Sequence, residues 1–165
     1  MKPVLQRIDA RLLDELSLAA RQRPRLRLNH NLHEDYLDPC QRLLNAVEPG
    51  TYVRPHRHLD PPRPECFVLL RGTMAVLLFT EAGGIDEIIP LAANGPCWGV
   101  DIPPGAWHSL VSLEPNTVLF ETKPGPYLPL SDKDFAPWAP AEGSTEASEY
   151  LEFLTLQVHG RGDHA

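Results

Sequence analysis

Four side chains of the types that bind transition metals lie in two short clusters of the sequence. The first cluster holds His56, His58 and Glu65, and the second holds His108. Neutral imidazole and carboxylate groups are ligands for divalent iron, zinc, manganese, nickel and cobalt. The set therefore predicts a site for one divalent transition metal (Fe, Zn, Mn, Ni or Co).

The spacing of these residues is suited to a β-rich fold. Residues two apart on a strand point to the same face, so His56 and His58 can converge on one ion. The prolines of residues 59–64 (LDPPRP) cannot continue a sheet ladder, which predicts a turn with Glu65 starting the next strand. His108 follows the turn IPPGAW and is predicted to open a further strand. A surface or core histidine pair is the simpler alternative, but the downstream glutamate and PxGxxH favour a metal site.

The rest of the chain predicts two helices around a β-rich middle. Apolar residues recur at helical spacing from Asp9 to about Gln22 and from Glu146 to about Val158. Between them, runs such as MAVLLF and TVLFETK are separated by Gly, Pro and Asn turns. Several short strands at such intervals predict a sandwich or barrel, with its core at about 36–127. A chain of 165 residues is expected to form a single domain.

Residues 25–33 (RLRLNHNLH) alternate leucines with polar side chains and predict a strand with one polar face. Two interpretations are open. The polar face is that of a solvated edge strand, or Arg25, Arg27, Asn29 and His33 line a pocket and bind the phosphate or carboxylate of a substrate.

Charged residues near the two clusters are further candidates for substrate binding. Arg54 precedes His56 by two residues, so it either binds an anionic substrate through its guanidinium fork or lies along the rim of the barrel. Glu121 and Lys123 are two apart on one strand face. They are predicted to form an ion pair, inside the barrel mouth or on its surface.

Aromatic residues beside the clusters offer walls for a sugar ring or a planar substrate. Trp107 precedes His108 and Tyr127 follows a PGP turn. Filling of the hydrophobic core is the alternative for Trp107. Glu65 is also a candidate general base if it is not a metal ligand.

Composition and net charge argue against two classes of partner and indicate a compartment. The net charge of −7 argues against nucleic acid or an anionic membrane as the main partner. The three cysteines are odd in number and form no CxxC pair, which fits reduced thiols in a cytoplasmic protein. Acidic residues interrupt the N-terminal apolar stretch, so we expect neither a signal peptide nor a membrane span. The predicted partner is a small molecule.

With both clusters in place, the chain resembles the cupin superfamily. The residues that match the first cupin motif are Gly50, His56, His58, Glu65 and Gly72, and those that match the second are Pro103, Gly105 and His108. The six-residue gap before Glu65 is longer than usual, Gly99 stands closer to Pro103 than usual, and Ser112 replaces the usual asparagine. The resemblance implies an all-β double-stranded β-helix, or jelly-roll barrel, with the metal inside it.

Longer segments make the chain look like the WbuC family of cupin-fold metalloproteins. The matching segments are RLRLNHNLH, TYVRPHRH, FETKPGPY and DKDFAPWAP, which together extend from about Arg25 to Pro140. That family is associated with bacterial surface-polysaccharide (O-antigen) gene clusters, and it brings no established reaction. Many cupins also pair by extending sheets, which predicts a homodimer; a monomer in size-exclusion chromatography would contradict this.

These observations lead to three functional hypotheses. The first is a metal-dependent enzyme, such as an isomerase or epimerase, acting on a small anionic or sugar-derived metabolite of surface-polysaccharide biosynthesis. The second is an Fe(II) dioxygenase of a small molecule, because open positions on iron also bind O2. The third is a non-enzymatic barrel that binds or senses a small ligand. The sequence does not distinguish among them.

Overall fold

The computed structural model describes residues 5–129 and 134–162, and within these residues the chain forms eight strands and two helices. In chain order the elements are α1 (Ala10–Arg21), β1 (Arg27–Asn31), β2 (Cys40–Val47), β3 (Glu65–Arg71), β4 (Thr73–Phe79), β5 (Ile85–Ala92), β6 (Gly99–Ile102), β7 (Trp107–Ser112), β8 (Thr117–Pro124) and α2 (Thr145–Gly162). The first two residues of the DKDFAPWAP segment lie outside the described residues.

The strands form two antiparallel sheets. The larger sheet has the order β1-β2-β8-β3-β6 and the smaller has the order β5-β4-β7. This architecture confirms the predicted all-β fold, a jelly roll with a helix near each end of the chain. Strand β1 lies outside the predicted core at 36–127, yet it pairs with β2 from Arg27↔Val47 to Asn31↔Leu43 and extends the larger sheet.

Alternation along β4 shows how the sequence divides the two faces of the smaller sheet. Met74 and Val76 belong to the core between the sheets, together with side chains of β3, β7 and β8. Ala75, Leu77 and Phe79 point to the opposite face and pack in the cluster that includes Leu154 and Val158 of α2. The period of two therefore fills two hydrophobic layers from one strand.

The helices cover the outer faces of the two sheets. Helix α1 begins after Asp9, whose side chain accepts a hydrogen bond of 3.0 Å from the Leu12 amide, and it packs on β2 and β8. Helix α2 extends four residues beyond the predicted end at Val158, because Gly160 weakens a helix by only about 1 kcal/mol and does not end it. Neither described helix is long and apolar enough to cross a bilayer.

Gly72 connects β3 to β4 in a conformation that only glycine adopts easily, and it offers a test of this packing. Its φ is +85°, and a Cβ there would lie 2.8 Å from Thr117 Cα. We expect Gly72→Ala to reduce the free energy of unfolding by about 3 kcal/mol, through backbone strain and overpacking together. Urea unfolding measures this change.

Gly143 is the matched control for that variant. Its φ is +82°, but a Cβ would meet no atom within 4 Å. Gly143→Ala therefore carries only the backbone strain, about 1 kcal/mol. Equal losses of unfolding free energy in the two variants would show that a contact between the added Cβ and Thr117 contributes nothing to the loss in Gly72→Ala.

Candidate metal centre

The segment that carries His56 and His58 differs from the predicted strand. His56 makes only isolated bridges, and its backbone exchanges hydrogen bonds of 3.0 and 2.9 Å with that of His108 in β7. Pro55 has no N–H, so a continuous ladder cannot form through it. The two imidazoles nevertheless lie on the same side, with ring centroids 5.3 Å apart.

The two other predicted ligands lie where the turns were expected to place them. Glu65 is the first residue of β3, and His108 is the second residue of β7. The turn before His108 is tied directly to the histidine pair, because the amide of Gly105 donates to the carbonyl of His58 at 3.1 Å. Gly105 has a φ of +80°, a value that glycine adopts without strain.

The four side chains converge on one point. One potential ligand atom from each of His56, His58, Glu65 and His108 lies within 4.8 Å of the others. His58 Nε2 is 2.8 Å from one oxygen of Glu65, and His108 Nε2 is 3.3 Å from the other. Apart from these contacts with Glu65, both Nε2 atoms are buried without a hydrogen-bond partner among the described residues. Buried polar atoms are normally paired, so this arrangement fits a shared cation.

Backbone carbonyls fix the orientation of two of the imidazoles. His56 Nδ1 donates to Arg54 O at 3.0 Å, and His108 Nδ1 donates to Ala106 O at 2.9 Å. A carbonyl only accepts, so each Nδ1 carries a hydrogen, and in the neutral form of each imidazole Nε2 keeps its lone pair for a metal. Burial and the neighbouring His108 lower the pKa of His56 to about 3. The imidazole is therefore neutral, as a metal ligand must be.

A charged network supports Glu65 from the adjacent strand. Lys123 Nζ lies 2.7 Å from Glu65 Oε1 and 2.7 Å from Glu121 Oε1, and Glu121 Oε2 accepts a hydrogen bond of 2.6 Å from Asn45. The structure thus places the Glu121–Lys123 pair inside the barrel. Burial raises the pKa of Glu121, and repulsion by Glu65 adds to this effect.

The same network keeps Glu65 ionised. Burial alone would raise the pKa of Glu65, but its contacts with His108 and His58 and the charge of Lys123 hold that pKa well below its usual range. A carboxylate with a lowered pKa is a weak proton acceptor. The position of Glu65 therefore favours the ligand role over that of general base.

A cavity of about 440 Å3 inside the barrel reaches this centre. His56, His58 and Glu65 form part of its wall, and Phe67 and Leu110 add apolar surface. Alternate residues of β1 and β2 form another part of the wall: Arg27, Asn29, Asn31, Leu43, Asn45 and Val47. A metal bound by the four side chains would therefore face a space of the size that small molecules occupy.

The structure brings most of the predicted substrate-binding residues to this cavity. Those that line it are Arg25, Arg27, Asn29, His33, Glu121, Lys123 and Tyr127. Strand β1 is both an edge strand and part of the cavity wall, so the two interpretations of its polar face are compatible. The roles of these residues in substrate binding stay predictions.

Arg54 and Trp107 lie elsewhere. Arg54 donates to the carbonyl of Ala136 at 3.0 Å, with its guanidinium 5.2 Å from the Phe135 ring centroid. The irregular backbone around Pro55 explains why it does not share the direction of the histidines. Trp107 is 5 % exposed and packs in the core beneath α2. This position agrees with the alternative prediction that Trp107 fills the hydrophobic core.

Several cavity residues carried no clear sequence signal. Asn45 is a polar residue in the otherwise apolar second half of β2, a pattern that indicates a buried polar contact. Tyr36, whose ring centroid lies 5.0 Å from that of Tyr127, and Arg63 come from irregular segments. Glu142 contacts Arg25 and Arg27 from a distant part of the chain, and local sequence does not indicate such a contact.

A sequence model of a family described as "Domain of unknown function (DUF6016)" matches residues 8–91, just over half of the chain. The chain belongs to the DUF6016 family. The DUF6016 match begins before α1 and ends in β5. It contains His56, His58 and Glu65, whereas His108 lies beyond it.

No curated protein matches the sequence of this DUF6016 chain significantly. Among solved structures, KdgF from Halomonas sp. is similar, with 17% identity, a TM-score of 0.49, and coverage of 62% of this chain and 82% of that one. The protein TT1209 from Thermus thermophilus shows 22% identity, a TM-score of 0.49, and coverage of 68% and 92%. A cupin 2 domain-containing protein from Halorhodospira halophila shows 19% identity, a TM-score of 0.48, and coverage of 82% and 81%.

The two antiparallel sheets of the DUF6016 chain form a jelly roll, and both histidine motifs lie on the segments that meet inside it. The His/Glu cluster is compatible with a bound metal ion.

Proposed function

We propose that the protein is a metal-dependent cupin enzyme that acts on a small anionic or sugar-derived metabolite. One observation carries the proposal: four candidate metal-ligand side chains converge within 4.8 Å, and three of them, His56, His58 and Glu65, line a cavity of about 440 Å3. A purely structural site has no need of such a cavity, whereas a catalytic metal keeps a position open for water or substrate.

The charges around the cavity support an anionic ligand. Four cationic and two anionic side chains of the described residues line it: Arg25, Arg27, Arg63, Lys123, Glu65 and Glu121. A divalent ion would add two positive charges at one end. Such a local excess of positive charge in a chain of net charge −7 attracts anions to this site.

The side chains of the cavity suit a polyhydroxylated ligand. The amides of Asn29 and Asn31 both donate and accept hydrogen bonds, as sugar hydroxyls do. Tyr36 and Tyr127 also line the cavity and form an aromatic pair, on which the apolar face of a ring can pack. The resemblance to the WbuC family supports a place in cytoplasmic surface-polysaccharide (O-antigen) biosynthesis, and the three free cysteines are in keeping with that compartment.

Within this proposal, each group at the centre has a defined task. His56, His58, His108 and Glu65 would hold the ion, which when bound acts as a Lewis acid on a carbonyl or hydroxyl group. Lys123 keeps Glu65 anionic and separates its charge from that of Glu121. The backbone carbonyls of Arg54 and Ala106 hold two imidazoles in the ligand tautomer.

The first test is elemental analysis of protein purified without added metal, followed by assays chosen by the metal found. We expect close to one divalent ion per chain and turnover of an acidic or phosphorylated sugar that stops when a chelator removes the ion. Iron together with substrate-dependent oxygen consumption would instead favour the dioxygenase. Failure to bind any of the five metals would overturn the proposal and leave a ligand-binding barrel.

A further inference from the structure

Two arginines at one end of the cavity hold a single carboxylate of the chain itself. Arg25 donates from Nε and Nη2 to the two oxygens of Glu142 at 2.5 and 2.6 Å, and Arg27 Nη2 donates to Glu142 Oε2 at 2.9 Å. Three charge-assisted hydrogen bonds converge on this carboxylate. Two guanidinium groups arranged in this way form an anion-binding site.

This end of the cavity is separate from the metal centre. Arg27 pairs with Val47 of β2, whereas Glu65 lies level with Lys123, which pairs with Gln41 of the same strand. The two levels are six residues apart on β2, which corresponds to about 20 Å along a strand. An anion held by the arginines therefore lies at a different level of the barrel from Glu65.

The backbone fixes both arginines in place. Leu26, between them, has a φ of +53°, a conformation that non-glycine residues rarely adopt. It is held by hydrogen bonds to its carbonyl from Thr51 Oγ1 and the Glu48 amide, at 2.6 and 2.9 Å. Strain that the surrounding structure maintains in this way is typical of functional sites.

The charges of the three side chains do not balance. Glu142 neutralises one of two guanidinium charges, and Arg27 is largely buried, with 15 % of its side chain exposed. A phosphate monoester carries a charge of about −1.5 to −2 at neutral pH and three acceptor oxygens. A phosphate group therefore matches the pair better than a carboxylate does.

We propose that Arg25 and Arg27 form a phosphate-binding subsite of the cavity, and that Glu142 is an internal competitor which the phosphate group of the ligand displaces. The inference rests on the proposed function in taking the cavity as the ligand site, and it narrows the ligand to a phosphorylated metabolite. Glu142 suits this role because it lies in an irregular segment before α2, with a third of its side chain exposed.

The experiment compares binding of inorganic phosphate to the full-length wild-type protein and to Glu142→Gln, by isothermal titration calorimetry. Removal of the competing charge should tighten phosphate binding about tenfold, the size expected for one charge-assisted interaction. The affinity for acetate, a monoanion, should rise clearly less than that for phosphate in Glu142→Gln. Glu149→Gln, an exposed change of the same kind on α2, should bind phosphate as the wild type does.

Two further variants separate this subsite from the metal centre. Adding Arg25→Gln to Glu142→Gln should abolish the gain, and Arg25 is exposed enough for the chain to remain folded, which circular dichroism checks. Glu142→Gln should give the same gain in phosphate affinity in a His56→Ala background as it gives in the wild type. Unchanged phosphate binding in Glu142→Gln, an equal gain for acetate, or absence of the gain in the His56→Ala background would each overturn the inference. A metal-free protein in which Glu142→Gln gains phosphate affinity would contradict the metalloenzyme and leave the subsite in place.

Discussion

Replacing His108 by alanine should reduce the metal content from about one ion per chain to background while the protein stays folded. His108 is 2 % exposed and supplies a ligand atom to the cluster, so the variant removes one ligand from the set of four. A metal-ligand bond lost in this way costs more than the 10- to 100-fold in affinity that supporting residues typically contribute. Elemental analysis after desalting measures the metal content, and circular dichroism checks the fold.

His33→Ala is the matched control for that variant. His33 is 6 % exposed, its Nδ1 also contacts a backbone segment, and its Nε2 is also buried without a partner among the described residues. His33 lies outside the cluster of four, so the His33→Ala protein should retain the metal. Thermal unfolding adds a second readout: metal should raise the melting temperature of the wild type and of His33→Ala but not that of His108→Ala. Equal metal content in all three proteins would contradict the site.

The sequence was sufficient to predict that the four candidate ligands converge, because the position of each depends on local features. Two histidines separated by one residue share a side, the prolines after them require a turn, and the Pro and Gly turn before His108 starts β7. The prediction of a regular strand for the histidine pair was wrong, because Pro55 interrupts the ladder. The two imidazoles nevertheless lie on the same side of the chain.

Contacts that depend on strand register could not be predicted in the same way. Lys123 meets Glu65 only because β8 pairs with β3 so that Thr122 lies opposite Cys66. The carboxylate of Glu142 reaches Arg25 across more than a hundred residues, after a Pro-rich segment with no periodicity. Hydrophobic pattern specifies which face of a strand is buried, but it does not specify which strands become neighbours.

Lys123→Met should destabilise the metal-free protein by about 3 kcal/mol, the cost of leaving buried charge without its partner. Lys123 is the cation between Glu65 and Glu121, both of which are buried. Urea unfolding in the presence of a chelator measures the change. Saturating metal should reduce the loss, because a divalent ion beside Glu65 replaces part of the missing positive charge.

The effect should also depend on pH in a defined direction. Burial already raises the pKa of Glu121, and loss of the Lys123 charge raises it further. A carboxyl whose pKa is higher in the folded than in the unfolded state destabilises the fold increasingly as the pH rises between those two values. The loss in Lys123→Met should therefore be larger at pH 8 than at pH 5.

Glu121→Gln in the same background separates the two carboxylates. The double variant Lys123→Met/Glu121→Gln keeps the hydrogen-bonding shape beside Asn45 but removes one of the two unpaired charges. It should regain part of the lost stability and lose most of the pH dependence, while Glu65 still needs the metal as its remaining counter-charge. If metal-free Lys123→Met were as stable as the metal-free wild type, Lys123 would not be the group that keeps Glu65 ionised. Another group would then have to account for a Glu65 carboxylate that can bind a cation.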